Sequence, residues 1–173
     1  MKRSLVYSTD ISYRDSLGNE KKRYNAKSVA EAVDKFINDN FRGLAEVSFD
    51  LPDEAEIFVS IESLAVLFKE IFDLVLGRAL LKMKFCFNLG KLVMHLLPEP
   101  RIECGFEDVS RIVRLARDVG FELVRDDDRV IFIIDSAEKI NYTVYVPTVK
   151  NDVEGIYRKI ENVFCRRKDL ENE

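Results

Sequence analysis

The sequence predicts an α+β fold, a two-layer sandwich in which a mixed, mostly antiparallel sheet is covered by helices on one face. Three observations carry this prediction. Apolar residues alternate with period two in some segments and recur with helical spacing in others, and the two kinds of segment are interleaved along the chain. Turn signals at Ser16-Leu17-Gly18-Asn19 and Asn88-Leu89-Gly90 join adjacent strand-like runs into hairpins, which makes those pairs antiparallel. One stretch, from Ile61 to about Leu80, is apolar on nearly every side, as a helix between layers must be.

Taken in order, Leu5, Tyr7, Thr9, Ile11 and Tyr13 alternate with polar neighbours as a strand, and Lys21 to Ala26 returns beside it. Ser28 followed by Glu31 predicts a capping box, with Ala32, Val33, Phe36, Ile37 and Phe41 on a helix that Gly43 ends. Ala45 to Leu51 reads as a strand stopped by Pro52, and Ile57-Phe58-Val59 as a short strand before the N-cap Ser60. The long helix from Ile61 carries Leu64, Leu67, Phe68, Ile71, Phe72, Leu74 and Val75, and is expected to be the most buried element. Met83–Phe87 and Leu92–Leu97 form the second hairpin, which Pro98 and Pro100 close. Val109, Ile112, Val113, Ala116 and Val119 make an amphipathic helix ending at Gly120. Phe121–Val124, Arg129–Ile134 and Tyr142–Val146 follow as strands. A last helix, capped by Asn151, carries Val153, Ile156, Tyr157, Ile160, Val163 and Phe164.

Composition narrows the function classes. The 173 residues are 47% hydrophobic and 34% charged, which is globular rather than disordered. With 27 Lys plus Arg against 31 Asp plus Glu, the net charge is −4, so no general attraction to nucleic acid or anionic membrane is expected. Lys69, Glu70, Asp73 and Arg78 inside the greasiest stretch argue against a membrane span. The first residues, Met1 to Ser8, hold no apolar run of signal-peptide length. Cys86, Cys104 and Cys165 are odd in number and lack CxxC spacing, so they read as reduced thiols in a cytoplasm.

Several residues have the chemistry of a site, and each has a plainer reading. His95, the one histidine, has no Cys or carboxylate at ligand spacing and reads as a packed strand residue. Asp126-Asp127-Asp128 suits a hard cation but falls between two strands, where aspartate is a turn residue. Arg111, Arg114 and Arg117 share a helix face with Asp108 and Asp118 and read as a solvated, ion-paired surface. Arg166-Arg167-Lys168 places positive charge at the end of the last helix, where the dipole favours it. Glu54, Glu56, Glu62 and Glu70 supply carboxylates that nothing pairs for acid–base work. No phosphate loop, zinc motif or nucleophile–base arrangement is readable. No catalytic, cofactor-binding or metal-ligating residue is expected, and the chain is read as a non-enzyme.

Tyr24-Asn25-Ala26 with the helix from Ser28 opens an ordered series of segments. It continues through Val47-Ser48-Phe49-Asp50-Leu51-Pro52, Ile57-Phe58-Val59-Ser60 and Glu70-Ile71-Phe72-Asp73-Leu74-Val75-Leu76-Gly77-Arg78-Ala79. That order resembles the ATP-binding domain of sensor histidine kinases, in the GHKL superfamily. Asp108–Val119, Gly120-Phe121-Glu122-Leu123 and Tyr145-Val146-Pro147 resemble the elements that close the family domain, so the likeness covers about residues 23–147. It implies three parts: an N-terminal β-hairpin extension (1–22), the kinase ATPase-like sandwich (23–150), and a C-terminal helix and tail (151–173).

The resemblance also implies what has been lost. The family's asparagine, which helps hold magnesium and the ATP phosphates, corresponds to Leu74. The aspartate and glycine pair that follow the next strand are absent from Val93-Met94-His95-Leu96-Leu97-Pro98-Glu99-Pro100, and only Gly105 stands near the expected glycine-rich lid. Leucine cannot bind a hard cation. The function this implies is a non-catalytic protein-interaction or regulatory module, a pseudo-ATPase with no cofactor and an unidentified protein partner. Two alternatives stand beside it: an ATP-binding regulator or protein kinase of the same superfamily, and a structural α+β domain of unrelated fold. The apolar faces of the first hairpin and the last helix must be covered by the chain itself or by a second copy in a homodimer.

Overall fold

The first hairpin forms around the turn signal. In the computed structural model, which describes residues 13–100, 102–126, 129–134, 148–149 and 152–172, β1 (Tyr13–Arg14) pairs antiparallel with β2 (Glu20–Asn25). Asp15 organises the turn, its Oδ1 accepting from the backbone N–H of Leu17 (3.0 Å) and Asn19 (3.1 Å). The turn is fastened to the body. Ser63 Oγ donates to Asp15 Oδ2, Asn19 Nδ2 donates to Ser63 Oγ at 2.9 Å, and the Ser16 N–H reaches the Asp118 carbonyl at 3.0 Å. The alternation expected from Leu5 to Ile11 lies outside the described residues.

Helix α1 (Ala26–Asn40) begins two residues before Ser28, and its cap is Asn25. Asn25 keeps an extended backbone while Oδ1 accepts the Ser28 N–H at 3.0 Å, and its Nδ2 donates to the Asp53 carbonyl at 2.6 Å. The side chain thus closes the helix and ties down the 51–55 loop, which a serine at position 28 cannot do. Strands β3 (Ala45–Asp50) and β4 (Glu56–Val59) follow, and Ser60 caps α2 (Ile61–Val75) as expected, accepting the Ser63 N–H at 3.2 Å.

Helix α2 ends at Val75, earlier than the apolar pattern implied. Leu76 turns extended and Gly77 takes φ 87°, a left-handed conformation in which the Arg78 and Ala79 N–H groups fold back on the Val75 carbonyl. The apolar run continues past this point because Leu80 and Leu81 already belong to β5 (Leu80–Asn88). A helix stripe and a strand run abut without a polar break.

Strand β5 turns back through Leu89 (φ 53°) and Gly90 (φ 77°) into β6 (Lys91–Glu99). Two consecutive positive φ values are what a tight hairpin with right-handed strand twist demands. Pro98, expected as a breaker, is accommodated inside β6. The Leu81 N–H bonds to Leu44 on the far side of β5, so its partner Pro98 directs its nitrogen away from β5. On that side Pro98 lies beyond Leu96, the last residue of β6 paired with β8 among the described residues.

Helix α3 (Phe106–Asp118), β7 (Phe121–Asp126) and β8 (Arg129–Ile134) complete the large sheet, whose order is β3-β5-β6-β8-β7. Only β3–β5 is parallel. A second, small sheet has the order β1-β2-β4, and β9 (Thr148–Val149) runs parallel to β2. The strand expected at Tyr142–Val146 lies outside the described residues, as does Asn151. At the last helix, α4 (Val153–Asn172), Asp152 accepts the Gly155 N–H at 3.0 Å.

The sheet faces divide cleanly. Leu81, Met83 and Phe85 of β5 and Leu92, Met94 and Leu96 of β6 are at most 1% exposed and share one core with the buried residues of α2. Within α2 only Asp73 is exposed. Helix α4 packs against α1 and α2, burying Ile156 and Ile160, and its Phe164 ring lies 4.8 Å from Phe36 and 5.9 Å from both Phe41 and Phe72. The apolar face of the last helix is therefore covered by its own chain.

Candidate functional site

The last turns of α2, the end of β6 and the first turns of α3 do not close completely on one another. Between them lies an open-mouthed cavity of about 50 Å³. Helix α2 contributes Ile71, Leu74 and Val75; β5 and β6 contribute Leu81, Leu96 and Pro98. The loop before α3 adds Ile102 and Cys104, and Val109, Ile112 and Leu123 complete the wall. Among the described residues, the Cys104 thiol is the one side-chain heteroatom in this lining.

The reason for the hollow is visible in α3. Its helical stripe buries only Ile112 and Ala116 fully, and its N-cap is Gly105, which has no side chain to extend over the gap. Phe106, the first helical residue, points outward and is 86% exposed.

Charged groups surround the cavity without entering it. The Arg78 guanidinium donates to the Glu103 carbonyl at 2.7 Å and to the Leu74 carbonyl at 3.4 Å, pinning the 102–105 loop to the end of α2. Arg111 lies 3.6 Å from both Glu70 and Asp108 and bridges α2 to α3. These pairs brace the wall. Being partly solvated, they contribute little individually to stability.

The residues singled out in the sequence distribute as follows. Leu74, Pro98 and Cys104, drawn from the three segments where the kinase resemblance places nucleotide-binding groups, line the same cavity. His95 sits in β6 opposite Lys84 and Ile131, on the sheet face away from the core, and is half-buried. Asp126 pairs in register with Arg129, flanking the β7–β8 turn; Asp127 and Asp128 lie outside the described residues. Arg111 has the ion pairs its helical spacing implied, whereas Arg114 and Arg117 are simply exposed. Arg166-Arg167-Lys168 stands inside α4, which continues to Asn172, so it does not mark the helix end. Glu56 lies 3.9 Å from Arg23, Glu62 accepts from Ser60 Oγ at 3.4 Å, and Glu54 is exposed. Among the described residues no three His, Cys, Asp or Glu side chains gather as a metal site would require.

Sequence reasoning read Ile71, Val75, Leu96, Val109 and Ile112 as ordinary core. Their apolar periodicity says that they are inside; it does not say that a space is left between them. Only the family resemblance, which assigned Leu74, the stretch from Val93 to Pro100 and the neighbourhood of Gly105 to parts of one nucleotide site, pointed to this place.

Known structures agree on the architecture. The Acinetobacter baumannii histidine kinase AdeS superposes with a TM-score of 0.51 at 12% identity, covering 79% of this chain and 75% of that one. The fold is histidine kinase-like. The nucleotide-free catalytic domain of histidine kinase ThkA gives 0.44 at 11% identity, over 68% of this chain and 96% of its own. The cytoplasmic segment of histidine kinase QseC gives 0.44 at 13% identity, over 76% and 82%. No protein-family model and no curated protein matches the chain. The likeness replaces the unrelated-fold alternative and, at these identities, speaks for the fold alone.

Proposed function

We propose that this chain is a non-catalytic regulatory module, a histidine kinase-like ATPase fold that no longer binds nucleotide and acts by contacting another protein. The observation that carries the reading is the cavity. The three segments that the kinase resemblance assigns to magnesium, adenine and lid do converge, but they bring Leu74, Pro98 and Cys104 to the meeting point. Magnesium requires oxygen ligands, and an adenine amino group requires an acceptor. A triphosphate moved against such a lining would lose its hydration with no replacement. A fold kept without its chemistry is kept for its surface.

The partner is a protein rather than nucleic acid, in keeping with the net charge of −4. A cytoplasmic location is supported by three free cysteines. Among the described residues no helix is long and apolar enough to cross a membrane. Isothermal titration with Mg-ATP tests the reading: no saturable heat is expected at millimolar nucleotide, and micromolar binding overturns it in favour of an ATP-binding regulator.

A further inference from the structure

We propose that the groove between α1 and α2 is a docking site for an amphipathic helix of a partner protein, and that α4 is the internal helix that holds it shut. The proposal rests on reading the chain as a protein-interaction module, and it adds the surface, the class of partner and the means of control.

A helix layered on one sheet needs one apolar stripe, and its other side meets water. Helices α1 and α2 carry more than that. Phe36 and Phe41, at the end of α1, and Phe72 of α2 gather around Phe164 of α4, with ring centroids 4.8–5.9 Å from it. Helix α4 lies beyond the 23–147 span of the kinase resemblance. The aromatic surface thus belongs to the sandwich, and its cover is an addition. Bared, it would be the kind of contiguous apolar patch that marks an interaction site.

The cover is held lightly. Helix α2 buries nine of its fifteen residues, whereas among the described residues of α4 only Ile156 and Ile160 are fully buried. Phe41 and Phe164 are half-buried, so the aromatic surface is not sealed. The polar contacts lie at an exposed rim, where they contribute little: Lys35 Nζ meets Glu154 at 3.1 Å, and the Tyr157 hydroxyl donates to Asp39 at 2.9 Å. Strand β9, which leads into α4, pairs with β2 at two positions among the described residues, Arg23 with Thr148 and Tyr24 with Val149. A terminal helix with so few buried groups opens before the core does.

What α4 presents to the groove defines what can replace it. Ile156, Ile160 and Phe164 recur every fourth residue, the anchor spacing of a helix lying in a groove. Glu154 faces Lys35, and Lys159 Nζ lies 3.1 Å from the Tyr24 hydroxyl. The partner helix therefore carries two aliphatic anchors and an aromatic one, an acid near its N-terminus and a base between the anchors.

The probe is a fluorescein-labelled peptide of residues 152–172, which stands in for the partner helix and is titrated into the full chain by anisotropy. Ile160→Ala in the full chain loosens the internal helix but leaves the groove and the peptide intact. The peptide is therefore expected to bind this variant at least tenfold more tightly than the parent, a difference of about 1.4 kcal/mol. Phe164→Ala repeats the test should Ile160→Ala fail to fold. A peptide carrying Ile156→Asp and Ile160→Asp is expected not to bind. Equal affinity for the parent and a folded loosened variant overturns the proposal, as does no binding to either at millimolar peptide, or equal binding of the two peptides. A dimeric parent that excess peptide dissociates would give the groove to a second copy and overturn the choice of partner. Mg-ATP binding beside intact peptide binding would overturn the proposed loss of nucleotide while leaving the groove a docking site, so the two failures are distinguishable.

Discussion

Replacing Ile160 by alanine tests whether the last helix belongs to the core of this chain. Ile160 is 2% exposed on α4, which lies against both α1 and α2. The substitution removes three carbons, worth about 0.8 kcal/mol each in transfer, and leaves a hole whose walls recover only in part. A terminal helix can settle towards its neighbours more readily than a central one. The cost therefore belongs in the lower half of the usual isoleucine-to-alanine range, about 2–3 kcal/mol. In urea, with a slope of about 2 kcal/mol/M, that moves the midpoint down by roughly 1–1.5 M. Asn162→Ala, two residues away and exposed, should stay within about 0.5 kcal/mol of the parent. The two variants carry nearly the same change in helix propensity, so their difference isolates packing. Coincident midpoints for Ile160→Ala and Asn162→Ala would refute the docking of α4, and with it the argument that the chain covers this apolar face itself.

Two further measurements address local chemistry. Burial pushes the Tyr24 hydroxyl up to about 12, and the nearby acids Glu62, Asp152 and Glu20 add to this while Lys22 opposes it; Lys159 Nζ lies 3.1 Å from the oxygen. A folded-state value above the unfolded one means that the stabilisation is complete below about pH 10 and is lost as the pH rises towards about 12. Absorbance titration should show a late-ionising tyrosine that Tyr24→Phe removes; an unchanged titration would contradict its burial. Asn25→Ala should cost about 1 kcal/mol or more through loss of the α1 cap, and Ser28→Ala clearly less. The reverse ranking in thermal melts would restore Ser28 as the cap.

The elements were legible where one period governed a whole segment, and their ends were not. The β5–β6 hairpin could be read from Asn88-Leu89-Gly90 because a tight turn needs residues that tolerate positive φ. The end of α2 could not, because Leu74, Val75, Leu76, Leu80 and Leu81 form one apolar run across a helix end and a strand start. Gly77 was the only mark of the break, and a single glycine inside a helical pattern is a weak one. The cap at Asn25 was hidden by a better-known signature at Ser28 and Glu31. Its deciding advantage, the bond to the Asp53 carbonyl, spans 28 residues and is invisible to any local pattern. The small sheet was missed for the same reason: β2 meets β4 and β9 through long-range pairings that no turn announces.

The cavity shows why a site can be harder to read than the fold that holds it. A hydrophobic stripe is a statement about direction, so Ile71, Val75, Val109 and Ile112 correctly point inward. Whether inward-pointing side chains touch depends on how far apart their helices stand, and that distance is set elsewhere. Here Arg111 reaches from α3 to Glu70 of α2 and Arg78 bonds the 102–105 loop, while Gly105 and Cys104 are too small to fill what lies between. The charged contacts thus lie at the rim, and the described lining is apolar. Such a division lets the lining change without moving the walls.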